Sequence, residues 1–203
     1  MRDLPAGPSG ERLGVDAYYR DFEPRFWNIK KHDFWKLERR QSFQEDGSPS
    51  WDAFSRGDWA EALRLMAGRR QSLSDYYNRV AQNGFSTYRV RVVAEPITPY
   101  LQWELNSLLQ RAECGERVRI VGDGDIATFE REVELPEIVT VGSEAMYQVI
   151  YNDAGALEGA ICSTNPGEVA AWREFIEHLY AEGEEIGNFH KRKVARLQPP
   201  RVR

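Results

Sequence analysis

Two short runs, RVRVVAE (89–95) and RVRIV (117–121), place Arg89, Arg91, Arg117 and Arg119 at every second position. In an extended strand that spacing sends alternate side chains to opposite faces. Arg89 and Arg91 then part from Val90 and Val92, and Arg117 and Arg119 from Val118 and Ile120. If the two strands are adjacent and parallel, four guanidinium groups gather on one face, opposite the helix that joins them. Four like charges so close require anions. Guanidinium forks suit bidentate contact with phosphate or carboxylate, which makes these arginines candidate ligand-binding residues. The competing use is a ladder of ion pairs, with Glu130, Glu132 and Glu134 of FEREVEL as the partner face.

Glu95 stands before Pro96, whose missing N–H stops ladder pairing. It therefore lies at the carboxyl end of a strand expected to be parallel, the edge where ligands bind in open α/β sheets. Glu95 and Glu104 are the candidate acid/base carboxylates. Tyr100 and Trp103 lie off the Leu stripe of the next helix and are candidate ligand contacts, with packing against the N-terminal region as the alternative. No stronger catalytic motif is present. The sequence has no nucleophile elbow, P-loop or dinucleotide fingerprint. Glu174 and His178 sit four apart without the second histidine that zinc would need. Gly122-Asp123-Gly124-Asp125 reads as a turn. Cys114 and Cys162 are far apart and read as reduced thiols. No metal and no cofactor is expected.

These residues need a scaffold, and the sequence predicts an α/β one. Residues 1–14, rich in Pro, Gly and charge, read as a flexible arm. A single α/β domain is expected over 15–189, with a strand and helices over 15–87 and the sheet core over 88–189. Phe34, Lys36 and Glu38 alternate with Trp35 and Leu37. Helices follow from Trp51, broken near Gly57 and at Gly68, to a C-cap at Gly84. Tyr88–Glu95 reads as a strand. Thr98-Pro99 opens a helix that runs to Glu113 before Gly115, and 116–121 is the next strand. This strand–helix–strand unit implies a parallel pair in a mixed sheet. A further exposed strand is expected over 128–136. A hairpin turning at Asn152–Gly155 comes next, and Asn165-Pro166 starts a last helix.

Six of the 27 Lys/Arg lie in the last fourteen residues, which hold no acids, so residues 1–189 carry 21 basic residues against 32 acidic. This basic tail over 190–203, with Lys191, Arg192, Lys193 and Arg196, has the charge to meet nucleic acid or an acidic protein face. The aromatic and basic run from Phe26 to Arg40 has the composition for single-stranded nucleic acid, although core packing explains its aromatics as well. No apolar run reaches membrane-spanning length and no signal peptide is evident, so a cytoplasmic location is expected.

RVRVVAEPITPYLQWEL, then GERVRIV, a Leu-Pro, a hairpin and NPGEVAAWREFIEHL resemble an actinobacterial domain-of-unknown-function family, number 6879, over roughly 34–186. On that resemblance Arg89, Arg91, Glu95, Pro96, Tyr100 and Glu104 match the family pattern. The family usually has Asp-Phe-Trp soon after the Leu-Pro; here the chain reads Leu135-Pro136-Glu137-Ile138-Val139. Members often stand beside genes for helix-turn-helix regulators, which implies a regulatory or partner role. The strand, helix, strand, hairpin, helix order is also similar to one half of a phospholipase D-like domain, without its His-x-Lys catalytic motif.

Three functions are expected in turn. The first is a non-catalytic regulatory or accessory module that binds a protein partner or anionic ligand over the arginine face, with a homo-oligomer as a further option. The second is a small enzyme acting on an anionic phosphorylated, carboxylated or aminoacyl substrate through Glu95 or Glu104. The third is a nucleic-acid binder using the tail and the Phe26–Arg40 run.

Overall fold

The computed structural model describes residues 4–201. Among these described residues, eight strands form one mixed sheet: β1 (Glu11–Gly14), β2 (Phe34–Glu38), β3 (Thr87–Val93), β4 (Arg117–Gly122), β5 (Glu137–Val141), β6 (Ala145–Tyr151), β7 (Leu157–Ser163) and β8 (Glu184–Glu185). Their spatial order is β1-β7-β6-β5-β2-β3-β4-β8. β2, β3 and β4 are parallel to one another, and the other pairs are antiparallel. The helices are α1 (Val15–Trp27), α2 (Pro49–Ser55), α3 (Trp59–Gly68), α4 (Arg70–Gln82), α5 (Pro99–Cys114), α6 (Asp123–Ile126), α7 (Pro166–Glu182) and α8 (Ile186–Lys193). The architecture is α/β, with helices on both faces.

Local signals place most of these ends. Thr98, Asn165, Ser48 and Asp58 each cap a helix by accepting a backbone N–H in the first turn, and Pro follows the cap in α5, α7 and α2. The α5 helix ends at Gly115, where φ is +132° and an added Cβ would lie 2.9 Å from the Cβ of Tyr77. Only glycine suits both demands there.

The register decides what each face carries. Val90 pairs with Arg119, and Arg91 with Ile120. One face therefore shows Val118 and Ile120 beside Arg89 and Arg91, with Val93. It packs under α5, α8 and the α2–α3 pair through Leu101, Leu105, Leu108, Phe54, Met66 and Phe189. Farther along the same face, α1 covers Phe34, Val139, Tyr147 and Val149 with Tyr18 and Phe26. The opposite face bears Trp35, Leu37, Val90, Val92, Ile138 and Met146 against α7, through Val169, Trp172, Phe175 and Ile176.

Several expectations are corrected here. The four arginines do not share a face, because parallel pairing of β3 and β4 is offset by one residue from the register that would align them. The connecting helix covers the side that bears Arg89 and Arg91. Residues 128–136 form no strand. Glu130 instead accepts from the Leu135 N–H and binds Arg39, which curls the segment, and the strand begins at Glu137. Of the proposed glutamate ladder, Glu130 and Glu134 both pair with Arg39 rather than with the sheet arginines.

The N-terminal segment is built into the fold: β1 pairs with β7, Ser9 donates to Glu168, and the Ala6 carbonyl accepts from Trp172 Nε1 at 3.1 Å. Part of the arm, residues 1–3, lies outside the described residues, as do 202–203 of the tail. The first four tail residues belong to α8, Val194 is buried, and the Gln198 carbonyl accepts from Gln102. Among the described residues, no helix is long and apolar enough to cross a membrane.

Candidate functional site

The helices leave a gap over the middle of the sheet. The α1 helix covers the antiparallel side and α5 the parallel side. Between them, above β2, lies a cavity of about 530 Å³. That volume suits a small-molecule ligand. Lys36 and Glu38 of β2 and Arg89 of β3 form its floor. Glu104, Ser107 and Arg111 line it from α5, Arg69 from the junction of α3 and α4, and Glu45 and Asp46 from the loop before α2.

The floor is a row of buried charge. Lys36 sits opposite Arg89, and Glu38 opposite Arg91. Arg89 donates to Glu38 and, at 3.0 Å through Nε, to Glu116, which also accepts from the Tyr77 hydroxyl at 2.8 Å. Lys36 Nζ lies 2.6 Å from Glu38. Arg91 is fully buried; its Nε donates to Glu104 Oε2 at 2.8 Å and its Nη1 to the Val92 carbonyl at 2.9 Å. Arg91 Nη2 lies 2.8 Å from that same Glu104 oxygen but without hydrogen-bond geometry, so it adds an ionic contact rather than a second bond.

Burial alone would raise the Glu38 carboxyl, but Arg89, Lys36 and Arg91 outweigh it and hold the group ionised well below the usual range. Glu104 is pushed the other way, by its burial against the pull of Arg91, with Glu38 and Glu45 adding to the rise.

Most of the chain, residues 20–191, matches the family described as a domain of unknown function (DUF6879). The chain belongs to that family. It is also similar to the UPF0285 protein MJ1370 of Methanocaldococcus jannaschii, with 26% identity over 110 residues. That stretch covers 54% of this chain and 32% of the relative's length.

In this family member the predicted site residues disperse. Arg89 and Glu104 line the cavity, as does Trp103, whose Nε1 donates to Ser50 at 3.0 Å. Arg91 lies just beneath it, joined to Glu104. Tyr100 is buried and donates to Glu45 at 2.8 Å. Arg117 and Arg119 are on the far face. Arg117 contacts the Tyr88 hydroxyl, while Arg119 donates to the Tyr180 and Ala181 carbonyls at 3.1 Å, closing the C-terminus of α7. Glu95 is exposed, away from the cavity, and binds Lys193 at 2.9 Å. Of the tail cations, Arg192 pairs with Glu184.

The Phe26–Arg40 run divides between layers. Phe26 and Phe34 enter the core under α1, while Trp35 stacks on Tyr88 across the sheet, with ring centroids 4.0 Å apart. Lys36 alone among its cations reaches the cavity. Among the described residues, no group of three or more His, Cys, Asp or Glu is placed to hold a metal ion.

Sequence reading missed Lys36, Glu38, Arg69, Arg111 and Glu116 as neighbours of this site. The first two carried a signal, because charges alternate with Trp35 and Leu37 in the strand FWKLE. Arg69 and Arg111 carried none, since they meet only through the packing of α4 on α5.

Proposed function

We propose that this protein is a non-catalytic accessory module whose cavity binds a small anionic ligand bearing a phosphate or carboxylate. One observation carries the reading. Arg69 and Arg111 line the same cavity, and among the described residues no carboxylate lies within ion-pair distance of either. Arg111 makes a long contact, 3.4 Å, to the Tyr77 hydroxyl, and although burial lowers its guanidinium, the charge of Glu116 on the other side of that hydroxyl, together with the hydroxyl itself, outweighs it. Burial lowers the Arg69 guanidinium from its usual range, and the nearby Arg111 charge lowers it further. Two cations that repel each other at the wall of an open cavity are stabilised by an anion between them.

The buried row beneath supports the same conclusion. Ion pairs such as Arg91–Glu104 give the fold no clear advantage over apolar residues of similar size, so a binding role accounts for them better than stability does. Calorimetric titration with inorganic phosphate, pyrophosphate and small di- and tricarboxylates tests the proposal. Binding is expected, and it should weaken at least tenfold in both Arg69→Gln and Arg111→Gln, as loss of a charge-assisted hydrogen bond implies, about tenfold or more. Unchanged binding in both variants would reject the site.

The enzyme reading has one observation in its favour. Glu104 and Glu38 face one cavity with their protonation tendencies driven apart, the arrangement that assigns acid and base roles. Turnover of a bound anion, lost in Glu104→Gln while binding persists, would support it.

A further inference from the structure

The cavity is larger than an inorganic anion needs. A phosphate or carboxylate between Arg69 and Arg111 fills one side of about 530 Å³, a volume that suits a whole small-molecule ligand. The remaining space extends across the sheet. Arg69 and Arg111 stand on the α5 side, whereas Tyr19 of α1, Tyr151 of β6 and Leu157 of β7 line the other. Arg89 on β3 and Tyr151 on β6 are three strand spacings apart, about 14 Å at the usual separation.

That second side is aromatic and apolar. Tyr19 is 53% exposed and lines the cavity, while the other exposed large apolar side chains, Tyr76, Val133 and Leu197, do not. Its ring meets that of Tyr18 with centroids 5.4 Å apart, and Tyr18 is buried edge-on against Tyr147 at 5.3 Å. Tyr151 is half-buried and rests on Phe43, with centroids 4.7 Å apart. Both rings are therefore backed by fixed ones, and a ligand need pay little to order them. Between the two sides the floor is polar. Lys36 and Arg89 already pair with Glu38, so the floor offers hydrogen-bonding atoms while its charges are matched. Ser107, one turn from Glu104 and from Arg111 on α5, adds a hydroxyl.

We infer that the ligand is an anion joined to a flat aromatic ring, its anionic group between Arg69 and Arg111 and its ring against Tyr19 and Tyr151. This rests on the anion site proposed above and adds the ring. Aromatic side chains of this kind stack on any flat ring, heterocyclic bases included. A polar link between ring and anion, as in a nucleoside monophosphate, matches the floor. An aliphatic polyanion of the same length would instead set charge against Tyr19, Tyr151 and Leu157.

The test is a calorimetric series in matched pairs. Adenosine 5′-monophosphate is titrated beside ribose 5-phosphate, and indole-3-acetate beside acetate, with inorganic phosphate as a further ring-free probe. In at least one pair the ring-bearing member is expected to bind about fivefold more tightly or better, the smallest gain from one stacked ring. The pair that shows the preference identifies the anionic group as phosphate or carboxylate. Tyr19→Ala, at an exposed helical position, should remove the preference by weakening the ring-bearing member alone, whereas Tyr19→Phe should keep it. Arg69→Gln should weaken every probe together. Equal affinity within both pairs, with Arg69→Gln still weakening them, would overturn the ring site and leave the anion site standing. A preference that Tyr19→Ala leaves intact would overturn the ring site as well. No effect of Arg69→Gln on any probe would overturn both.

Discussion

Arg89 and Arg119 leave opposite faces of the sheet, although each belongs to an Arg-Val-Arg or Arg-x-Arg pattern in an adjacent parallel strand. The cause is the register, in which Val90 rather than Arg89 faces Arg119. Arg89 joins Glu38 and Glu116 under the cavity, while Arg119 serves as a cap for α7. We therefore expect Arg119→Gln to cost about 1–2 kcal/mol of stability through lost charge-assisted bonds to helix-terminal carbonyls. Anion binding should not change. Denaturant unfolding beside titration of the same variant separates the two effects.

The Arg91–Glu104 pair should respond asymmetrically. Arg91→Met leaves a buried carboxylate without its partner and should cost about 3–5 kcal/mol. Arg91→Met with Glu104→Leu removes both charges, and it should be markedly less destabilised than the sum of the single variants. A double-variant cycle in urea measures this coupling.

Glu137 makes stability depend on pH. It is 6% exposed, opposite Glu38 on the sheet and close to Arg91 and Tyr151. Its Oε1 accepts from the Arg39 and Arg40 N–H groups, while its buried Oε2 has no partner among the described residues. Burial, then the Glu38 charge, raises it from 4.5 to about 7. Between those values the folded chain keeps a proton that the unfolded chain releases. Stability present below pH 4.5 is therefore lost as pH rises to 7, by about 3 kcal/mol at most. Glu137→Gln should flatten this decline, so that the variant is the more stable protein at pH 8. A decline of the same size in the variant would exclude Glu137 as its source.

Docking of the tail yields a further expectation. Deleting residues 194–203 removes Val194, 3% exposed, and the Gln198 carbonyl that accepts from Gln102. Loss of the valine burial alone should cost about 1.5–3 kcal/mol, measurable by thermal or urea unfolding. A tail that served only to hold nucleic acid would leave unfolding unchanged and would instead give binding that falls steeply with salt.

Short-range physics explains what the sequence alone determined. Thr98-Pro99 and Asn165-Pro166 mark helix starts because their side-chain oxygens and fixed φ act within one turn, and Gly115 and Gly84 mark ends because of their conformational freedom. The parallel strand–helix–strand unit, the hairpin and the α/β class follow from those boundaries. Residues 128–136 misled because Glu130, Glu132 and Glu134 alternate with Phe129, Val133 and Leu135 as in a strand, whereas Glu130 is drawn to Arg39 and the Leu135 N–H and curls the segment. The fate of the arginines could not be read locally. A one-residue change in pairing moves every side chain to the other face, and that register comes from the whole sheet packing between its two helical layers. The cavity itself is a tertiary product. It exists because α1 and α5 cover separate halves of one face. Its walls join Lys36 of β2, Arg69 of the α3–α4 junction, and Glu104 and Arg111 of α5, whose charges come together only when those elements dock.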